Sequence, residues 1–488
     1  MSQSQQTMNQ QREQVSQMLQ AMDPNSPIAA TTIFRVNRDQ QSAFERIAAD
    51  LVTATLSMQG VEIFDYLSKA SLQPRSGSSP ALQYLIYEKW NSVSDYLRQW
   101  NSDHFMKFQS AVLDMVNDPP VLTYYRASHS TARVLQTGQQ LCWDSKGSLI
   151  ACAGTGADGD IRAGVQPPHP RFVDNSDGTV TDRLTGLIWL RNANLYGEVP
   201  WQTCLDNAKT LCSGSAGLTD GSKAGDWRLP NVNEFQSLLD LNNTSGPSIA
   251  PDHPFMNLHP SNYWTSTSVA LAPALGWFVA LAVGPPVFDL KMNSMRMWPV
   301  RGGQTSRIAQ TGQNQCFGIF GQPMDCSGSG QDADIRAGIP FPQPRFVDNR
   351  NGTVTDRLTG LIWLKNANVF GTKTWQHALD ACNFLGAGSG CLDDNSKPGD
   401  WRLPNLFELR SLMDYSTFNP ALSEGHPFDN VIPSLYWSST TVASAPNLAR
   451  FVFVGVGPSV WDHKGVLLHV WPVRGGVLPK KDMENEPD

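Results

Sequence analysis

The sequence predicts an α+β protein, and three observations support this prediction. A stretch of about 172 residues occurs twice, and residues 181–190 (TDRLTGLIWL) return letter for letter as residues 355–364. All eight cysteines fall inside this duplicated region, and none lies in the first 141 residues. The segment before the duplication shows strand and helix periodicities in the order βαββαβ. We therefore expect one N-terminal domain followed by two copies of a different unit.

Composition and the repeat limits set the expected domain boundaries. We expect a glutamine-rich tail at residues 1–28, an N-terminal domain at 29–128, repeats at 129–303 and 304–476, and a polar tail at 477–488. The first twenty residues carry eight glutamines and no apolar stretch typical of a secretory signal peptide. No signal for export is therefore visible in the sequence.

The N-terminal elements follow from apolar spacing. An apolar stripe predicts a helix that begins at Asp39, and a second helical pattern at 92–116 is interrupted near residues 101–103. Alternating β-branched and aromatic residues predict the strands. The predicted strands are 29–36, 61–67, 82–90 and 121–126. This order is typical of a ferredoxin-like sheet with its helices on one face.

The N-terminal segment resembles the antibiotic biosynthesis monooxygenase domain over about a hundred residues. The resemblance rests on YEKW at 87–90, YL at 96–97, SDHF at 102–105 and PPV at 119–121. It implies sheets that pair into a dimeric α+β barrel, and hence a homodimer or a higher oligomer.

Catalytic candidates in this domain are few. Haem-degrading relatives use an Asn, a Trp and a His, and the aligned positions here hold other residues. These are Thr32, Gln99 and Gln109. Four nearby side chains could line a small-molecule pocket or could instead serve the core and a helix break. They are Trp100, His104, Tyr84 and Tyr87. The sequence therefore favours a non-enzymatic protein but does not exclude an enzyme.

Cysteine spacing predicts disulfides in both repeats. Cys142 and Cys152 bracket a turn centred on Gly147, and Cys316 with Cys326 repeats this arrangement, which predicts two hairpin bridges. We also expect bridges between Cys204 and Cys212 and between Cys382 and Cys391, or else free buried thiols. Eight residues of continuous helix would hold either of these two pairs about 12 Å apart, so the helix must break between them. Disulfides imply an extracellular or cell-surface location, and the missing signal peptide leaves a cytoplasmic one as the alternative.

Each repeat is expected to contain two helices and a tryptophan-rich core. Asn231 with Glu234, and Asn405 with Glu408, have the spacing of reciprocal helix caps. A Trp-Gln pair opens the other helix of each repeat, and large aromatic side chains supply the burial that a loop-rich domain needs. The matched tryptophans are 189/363, 201/375, 227/401, 264/437 and 298/471.

The repeats closely resemble the C-terminal domain family of collagen-like bacterial adhesins. The shared signature is RFVDNxxGTVTDRLTGLIWL, then GDWRLPNxxE, then a Tyr-Trp block, then WPVRGG, and it occurs twice in the same order. The family is related to the C-type lectin fold. The resemblance therefore implies two tandem C-type lectin-like domains, used for binding at bacterial surfaces, with a glycan or sulfated polysaccharide as a ligand. It implies no reaction.

Two loops invite a cofactor interpretation. Asp174 and Asp177, with Asp348 in the second copy, have part of the pattern of a calcium loop, but no bidentate glutamate follows, and an ordinary hairpin turn is the alternative. A G-x-G-x-x-G stretch at 154–159 follows the cysteine hairpin and precedes no helical pattern, so we interpret it as a turn. We expect no resident cofactor, with calcium as the one candidate.

Candidate ligand residues are those that differ between the copies late in the repeat. Variable positions on a shared scaffold are where recognition usually lies, and the resemblance to lectin-like folds points to the same region. Neutral drift on exposed strands is the alternative. The first copy contributes Trp277, Phe288, Asp289 and Arg296, and the second contributes Arg450, Trp461, Asp462, His463 and His469.

Charge and hydropathy narrow the partners. The net charge of −7 and the absence of a basic cluster argue against nucleic acid, and the apolar run at 270–283 is too short to span a membrane. We therefore predict a non-enzymatic, multivalent, adhesin-like binding protein for a glycan or protein ligand, dimerised through its N-terminal domain. The alternatives are a cofactor-independent monooxygenase or small-molecule sensor localised by lectin-like modules, and a structural or receptor-binding assembly component.

Overall fold

The computed structural model divides the chain into two compact units, residues 1–130 and 131–488. The structure describes residues 17–19, 28–56, 58, 61–69, 82–90, 93–112, 115–116, 120–126, 134–284, 286–302, 308–389 and 392–475. No helix in this described part is long and apolar enough to cross a membrane.

In its described residues, the N-terminal unit forms a four-stranded antiparallel sheet with three helices, and residues 17–19 are also helical. Its elements are β1 (Ile28–Val36), a 3₁₀ turn (Arg38–Gln40), α1 (Gln41–Leu56), β2 (Val61–Lys69), β3 (Leu82–Trp90), α2 (Val93–Trp100), α3 (Asp103–Val112) and β4 (Val121–Arg126). The strand order β2-β3-β1-β4 is that of a ferredoxin-like fold. The predicted order of elements and the predicted helix interruption are confirmed.

The helices pack on one face of this sheet because alternate residues of the strands are apolar. Phe34 of β1 and Tyr84 of β3 meet Phe44 of α1 at ring-centroid distances of 5.4 and 4.6 Å. Trp90 ends β3 fully buried and contacts the ring of Tyr96 in α2. An aromatic core thus holds the helices to the sheet.

The second unit contains the two repeats. The first repeat has β5 (Cys142–Trp143), β6 (Leu149–Ile150), α4 (Asp158–Ile161), β7 (Phe172–Asp174), β8 (Thr179–Asp182), β9 (Ile188–Leu190), β10 (Glu198–Pro200), α5 (Trp201–Thr210), α6 (Val232–Gln236), β11 (Asn262–Ser268), β12 (Leu275–Ala280), β13 (Pro286–Leu290), β14 (Ser294–Arg296) and β15 (Val300–Arg301). The second has β16 (Cys316–Phe317), β17 (Pro323–Met324), α7 (Asp332–Ile335), β18 (Phe346–Asp348), β19 (Thr353–Asp356), β20 (Ile362–Leu364), β21 (Thr372–Lys373), α8 (Trp375–Asn383), α9 (Leu406–Ser411), β22 (Leu435–Thr441), β23 (Leu448–Phe453), β24 (Ser459–His463), β25 (Leu468–His469) and β26 (Val473–Arg474). Both repeats are mostly β.

Each repeat forms a five-stranded sheet, a four-stranded sheet and a small hairpin. In the first repeat the orders are β10-β14-β11-β12-β13 and β15-β9-β8-β7, and the second repeats them as β21-β25-β22-β23-β24 and β18-β19-β20-β26. The GxGxxG turn leads into α4, a single helical turn that the sequence did not predict.

Local sequence signals account for the helix starts. Asn231 accepts a hydrogen bond from the backbone N–H of Glu234, whose carboxylate accepts one from the N–H of Asn231 in return, and Asn405 with Glu408 repeats this capping box. These caps satisfy N–H groups that the first helical turn leaves without partners. Both predicted capping boxes are confirmed.

Two of the predicted disulfides are confirmed and one is wrong. The Cys142–Cys152 and Cys316–Cys326 bridges are formed. The predicted Cys204–Cys212 bridge is wrong, since both thiols are free. Cys204 is buried on α5 with its thiol toward the carbonyl of Val199, whereas Cys212 follows the end of that helix. Cys382 is likewise a free buried thiol, and Cys391 lies outside the described residues.

The two copies exchange their N-terminal segments. We define arm one as residues 134–165, arm two as 308–339, body one as 171–302 and body two as 345–475. Gln139 of arm one donates to the carbonyl of Thr441 in body two and accepts from its N–H, at 2.8 and 2.9 Å. Gln313 of arm two donates to the carbonyl of Ser268 in body one at 2.9 Å. Each arm therefore packs on the body of the other copy, while Thr137 and Thr311 also accept from the N–H groups of Leu241 and Tyr415 in their own bodies.

A buried carboxylate fastens each arm. Asp158 of arm one accepts hydrogen bonds from the hydroxyl of Thr137 in the same arm and from that of Thr440 in body two, at 2.7 and 2.6 Å. Asp332 of arm two accepts in the same way from Thr311 and from Thr267 of body one. The capping asparagines add a second link, because Asn405 donates to the carbonyl of Ala163 and Asn231 to that of Ala337.

The two bodies also share one apolar core. The ring of Trp277 in body one lies 5.2 Å from that of Tyr415 in body two, edge to face. Cys142 and Ala157 of arm one are buried in a cluster with Trp375 and Trp437 of body two. The apolar side chains of the two copies are therefore buried together in the tandem unit.

This exchange predicts that the copies stay together when the chain between them is cut. A protease site inserted between Gly302 and Ile308 should yield two fragments that elute as one species in native size-exclusion chromatography, because hydrogen bonds and a common core cross the cut. Neither disulfide joins the fragments, so denaturant should separate them. Separation of the fragments without denaturant would contradict the exchange, and the uncut insertion variant is the control.

Candidate functional site

Paired buried charges form a frame that is common to both copies. Arg171 donates to Asp182 through two nitrogens, at 3.0 and 2.8 Å, and Arg228 holds Glu234 in the same forked geometry at 2.6 Å. Arg345 with Asp356, and Arg402 with Glu408, repeat these pairs. Each carboxylate is almost fully buried, so these ion pairs stabilise the fold and their carboxylates are not accessible to a ligand.

Two of the predicted ligand residues are buried. Trp277 is 1% exposed and packs against Phe288 and Tyr415. Arg450, its counterpart in the second copy, is 4% exposed and donates from Nη2 to the carbonyl of Val283 at 2.8 Å. Both side chains face the shared core because alternate residues of β12 and β23 point inward. Neither can meet a ligand from solvent.

Arg450 is an unusual buried cation. Its Nε and Nη1 have no hydrogen-bond partner among the described residues, and no acid in that part of the chain forms an ion pair with it. Burial lowers the pKa of its guanidinium to about 10. A buried charge without a counter-ion destabilises the fold.

The other predicted ligand residues lie nearer the surface. Phe288 and Trp461 are half-buried on the edge strands β13 and β24, beside half-buried Asp289 and Asp462. His463 is exposed and lies 3.2 Å from the side-chain amide of Asn447. The edge strands thus hold an aromatic residue and a carboxylate in both copies, and only the second copy adds a histidine.

Arg296 and His469 occupy one position of the repeat and are tied to neighbours. Arg296 donates to Asn194 at 2.6 Å and pairs with Glu198 at 3.3 Å. Nδ1 of His469 lies 2.8 Å from the side-chain oxygen of Asn368, and burial lowers the pKa of its imidazole. Their role as ligand contacts stays a prediction.

A pair of buried lysines escaped the sequence reasoning. Nζ of Lys291 lies 4.1 Å from the ring centroid of Trp201 and donates to the carbonyl of Phe317 in arm two. Lys464 lies 4.0 Å from the ring of Trp375 and donates to the carbonyls of Trp143 and Asp144 in arm one. The lysines therefore hold each hairpin to the other copy's body. The signal was present as a lysine at the same place in both repeats, but a lysine alone does not predict burial.

The calcium candidates form hairpin turns in the structure. Asp174 accepts from the N–H of Ser176 and pairs with Arg191 at 3.2 Å, and Asp177 accepts from the N–H and hydroxyl of Thr179. Asp348 pairs with Lys365. Among the described residues, no group of three or more potential ligands could hold a metal ion.

The N-terminal catalytic candidates pack into the core. Tyr84 and Trp100 are 1% and 4% exposed, and the phenol of Tyr84 donates to Glu45 at 2.7 Å. Nε2 of His104 lies 2.7 Å from the side-chain oxygen of Gln99, and the side-chain nitrogen of Gln99 donates to the hydroxyl of Thr55. Burial lowers the pKa of His104.

The remaining N-terminal candidates add little to this picture. Thr32 is half-buried on β1, Gln109 lies on α3, and the side chain of Tyr87 lies outside the described residues. The geometry therefore brings His104 and Gln99 together and leaves Tyr84 and Trp100 in packing positions.

Two family models match the chain, one in the repeats and one in the N-terminal segment. The Lcl C-terminal domain model matches residues 178–301 and 352–474, which together make just over half of the chain. The chain belongs to the Lcl C-terminal domain family. The matched segments of this Lcl-domain protein coincide with the two bodies and leave out the arms. The antibiotic biosynthesis monooxygenase model matches residues 27–111.

Solved structures similar to this Lcl-domain protein align with about a fifth of its length. Rv0793 from Mycobacterium tuberculosis is 20% identical, covers 21% of this chain and 95% of its own, and gives a TM-score of 0.18. A conserved protein from Methanosarcina mazei Go1 is 19% identical over 21% of this chain and 94% of its own, also with a TM-score of 0.18. No curated protein matches the chain.

The buried lysines predict a stability that rises with pH above neutrality. Burial lowers the pKa of Lys291 and Lys464 from 10.5 to about 7. Above pH 7 the unfolded chain binds more protons than the folded one, so the free energy of unfolding should rise between pH 7 and 9, by up to about 1.4 kcal/mol per pH unit for each lysine. Urea titrations across this range should show the slope. A K291M/K464M double variant should flatten it, and an unchanged slope would contradict the prediction.

Arg450 predicts a stabilising substitution. Arg450→Met removes an uncompensated buried charge at similar volume and should raise the free energy of unfolding by about 1–2 kcal/mol. Arg296→Met, which breaks an ion pair and an amide contact, is the matched control and should bring no gain. A loss above about 3 kcal/mol for Arg450→Met would show that the guanidinium has an anionic partner. Equilibrium denaturation of the full chain measures both.

Proposed function

We propose that the protein is a non-enzymatic, multivalent binding protein of adhesin-like type, with a glycan or protein ligand. Its family membership supports a binding module, and the shared frame of buried tryptophans and ion pairs explains how the module keeps its shape. The candidate ligand residues that differ between the copies and lie near the surface are on β13, β14, β24 and β25. A constant scaffold with variable edge strands is the arrangement that recognition requires.

We assign both repeats a C-type lectin-like fold and the N-terminal unit a dimerising role. Thr31, Ile33 and Leu85 are half-buried on the face of the N-terminal sheet opposite its helices, and a second copy of the unit would cover that face. A dimer would present four repeats, and linked weak sites gain avidity through effective concentration. No resident cofactor is part of the proposal.

The proposed location is extracellular or at the cell surface. The two hairpin disulfides support it, because such bridges persist in oxidising compartments and are rare in the reducing cytosol. A cytoplasmic location is the alternative. Mass measurement of the native protein under non-reducing conditions decides between them, since bridged cysteines favour the first location and eight free thiols the second.

The aromatic and carboxylate pair on the edge strand is the observation that carries the proposal. We expect the full-length protein to bind ligands on an array of glycans and surface proteins. Trp461→Ala should weaken binding by tenfold or more if this edge is a contact, since a half-buried aromatic anchor contributes on the order of 1–3 kcal/mol. Phe288→Ala tests the first copy, and Asp226→Asn, on an exposed loop, is the control.

A second candidate function has one observation in its favour. Glu88 is buried in the N-terminal unit, accepts from Nε1 of Trp90 at 3.1 Å, and has its pKa raised to about 7 by burial. A buried carboxyl that titrates near neutrality can move a proton, which suits a cofactor-independent monooxygenase or a small-molecule sensor. Oxygen uptake by the full chain that Glu88→Gln abolishes, together with no ligand on the array, would overturn the binding proposal in favour of this one.

A further inference from the structure

The first copy contains a cavity of ≈ 340 Å³ that the sequence did not reveal. It opens between arm one, the proline-rich segment at residues 166–170 and the loops of body one that carry Asp240 and Asp252. Its volume lies at the lower end of the range of small-molecule sites, about 300–1,000 Å³. Gly138 and Arg171 line its walls.

The equivalent place in the second copy is filled by a ring. Phe341 stands at the repeat position of Pro167 and lies 4.5 Å, from ring centroid to guanidinium carbon, from Arg345. Its Cε2 lies 3.2 Å from the point where a Cβ on Gly312 would stand. Arg345 and Gly312 correspond to Arg171 and Gly138, which line the cavity of the first copy. Phe341 therefore takes up part of the place that the cavity occupies in the first copy.

Two further differences between the copies change the polarity of this space. In the second copy, Asp414 accepts hydrogen bonds from the hydroxyls of Ser416 and Ser423, at 2.6 and 3.0 Å, and is 6% exposed. Asp240 in the first copy accepts from the N–H of Asn242, and Ala250 stands where Ser423 would supply a hydroxyl. Among the described residues, Oδ2 of Asp240 has no hydrogen-bond partner.

The rim carries a second carboxylate. Asp252 is exposed and corresponds to Gly425 of the second copy, so the first copy alone has an acid there. The guanidinium of Arg171 is already held by Asp182 at 2.8 Å, which leaves the exposed Arg162 as the one arginine of the lining without a carboxylate partner among the described residues. Two carboxylates against one available arginine disfavour an anionic ligand.

The chemistry of the lining favours a ligand rich in hydroxyl groups. Ionised carboxylates accept hydrogen bonds only, and the side-chain amides of Gln140 and Gln166 both donate and accept. The rings of Pro167 and Pro168 supply an apolar wall. A sugar ring presents hydroxyl donors at its edge and C–H groups on its face, and it matches both parts.

We propose that this cavity is a binding site for a neutral sugar, present in the first copy and closed by Phe341 in the second. The carboxylates of Asp240 and Asp252 accept sugar hydroxyls, and the proline wall packs against a face of the ring. This site rests on the proposed binding function and adds a ligand class to it. It is separate from the edge strands β13 and β24.

The test uses the full-length protein and a panel of the methyl glycosides of glucose, galactose, mannose and N-acetylglucosamine, with heparin as the anionic comparison. Saturation-transfer NMR should detect binding of at least one glycoside. Pro167→Phe, which supplies the ring of the second copy, should abolish it, and Asp240→Asn should weaken it roughly tenfold through loss of a charged acceptor. Asp226→Asn, which is exposed and outside the cavity lining, is the matched control and should leave it unchanged, and Trp461→Ala reports whether the glycoside binds at the edge strand instead. Thermal unfolding verifies that each variant folds.

The outcomes separate this site from the general binding function. Glycoside binding that survives Pro167→Phe and Asp240→Asn, or that Trp461→Ala abolishes instead, overturns the cavity site and leaves the proposed function standing. Binding of heparin alone does the same. If no glycoside and no heparin binds, the cavity site fails, and the proposed function fails with it only when the wider array of glycans and proteins is also negative.

Discussion

The tandem unit depends on the exchange of arms between its two copies. Each arm carries one buried aspartate whose carboxylate joins a threonine of its own arm to a threonine of the opposite body. Burial raises the pKa of Asp158 and Asp332 to about 6, while the threonine hydroxyls favour the ionised form. A buried carboxylate is costly unless its acceptors are satisfied. This contact between arm and body is therefore stable only when both segments are in place. The two copies consequently form one folded unit.

This interlocking explains which residues the copies keep and which they change. The capping asparagines, the buried aspartates and the lysines over tryptophan all lie where an arm meets a body, and each has an equivalent in the other copy. A change at any of them leaves a buried polar group of the partner copy unsatisfied. The edge strands β13 and β24 contain none of these linking residues. Differences such as Phe288 to Trp461 therefore accumulate there without loss of the fold.

The sequence predicted local elements well because their signals are local. Strand alternation predicted β3 and β4 at their observed bounds, and the Asn-x-x-Glu spacing predicted both capped helices. Cysteine spacing across a glycine turn predicted the hairpin bridges for the same reason. It failed for Cys204 and Cys212, because that prediction required knowing where α5 ends and which way each thiol points. The arm exchange was beyond reach, since a repeat in sequence does not reveal which copy an arm packs against.

The candidate sites show the same division between local and long-range information. Trp277 and Arg450 were selected because they differ between copies, yet both face the shared core, and difference alone does not report exposure. The cavity depends on Pro167 and, far along the chain from it, on Ala250 and Asp252, which become neighbours of Pro167 only after folding. None of the three residues indicates a cavity by itself. Their shared location becomes informative only when the second copy shows which side chain lies in the equivalent place. Duplication thus supplies an internal reference: where one copy packs a ring and satisfies its carboxylate, the other leaves both the space and the acceptor available to a ligand.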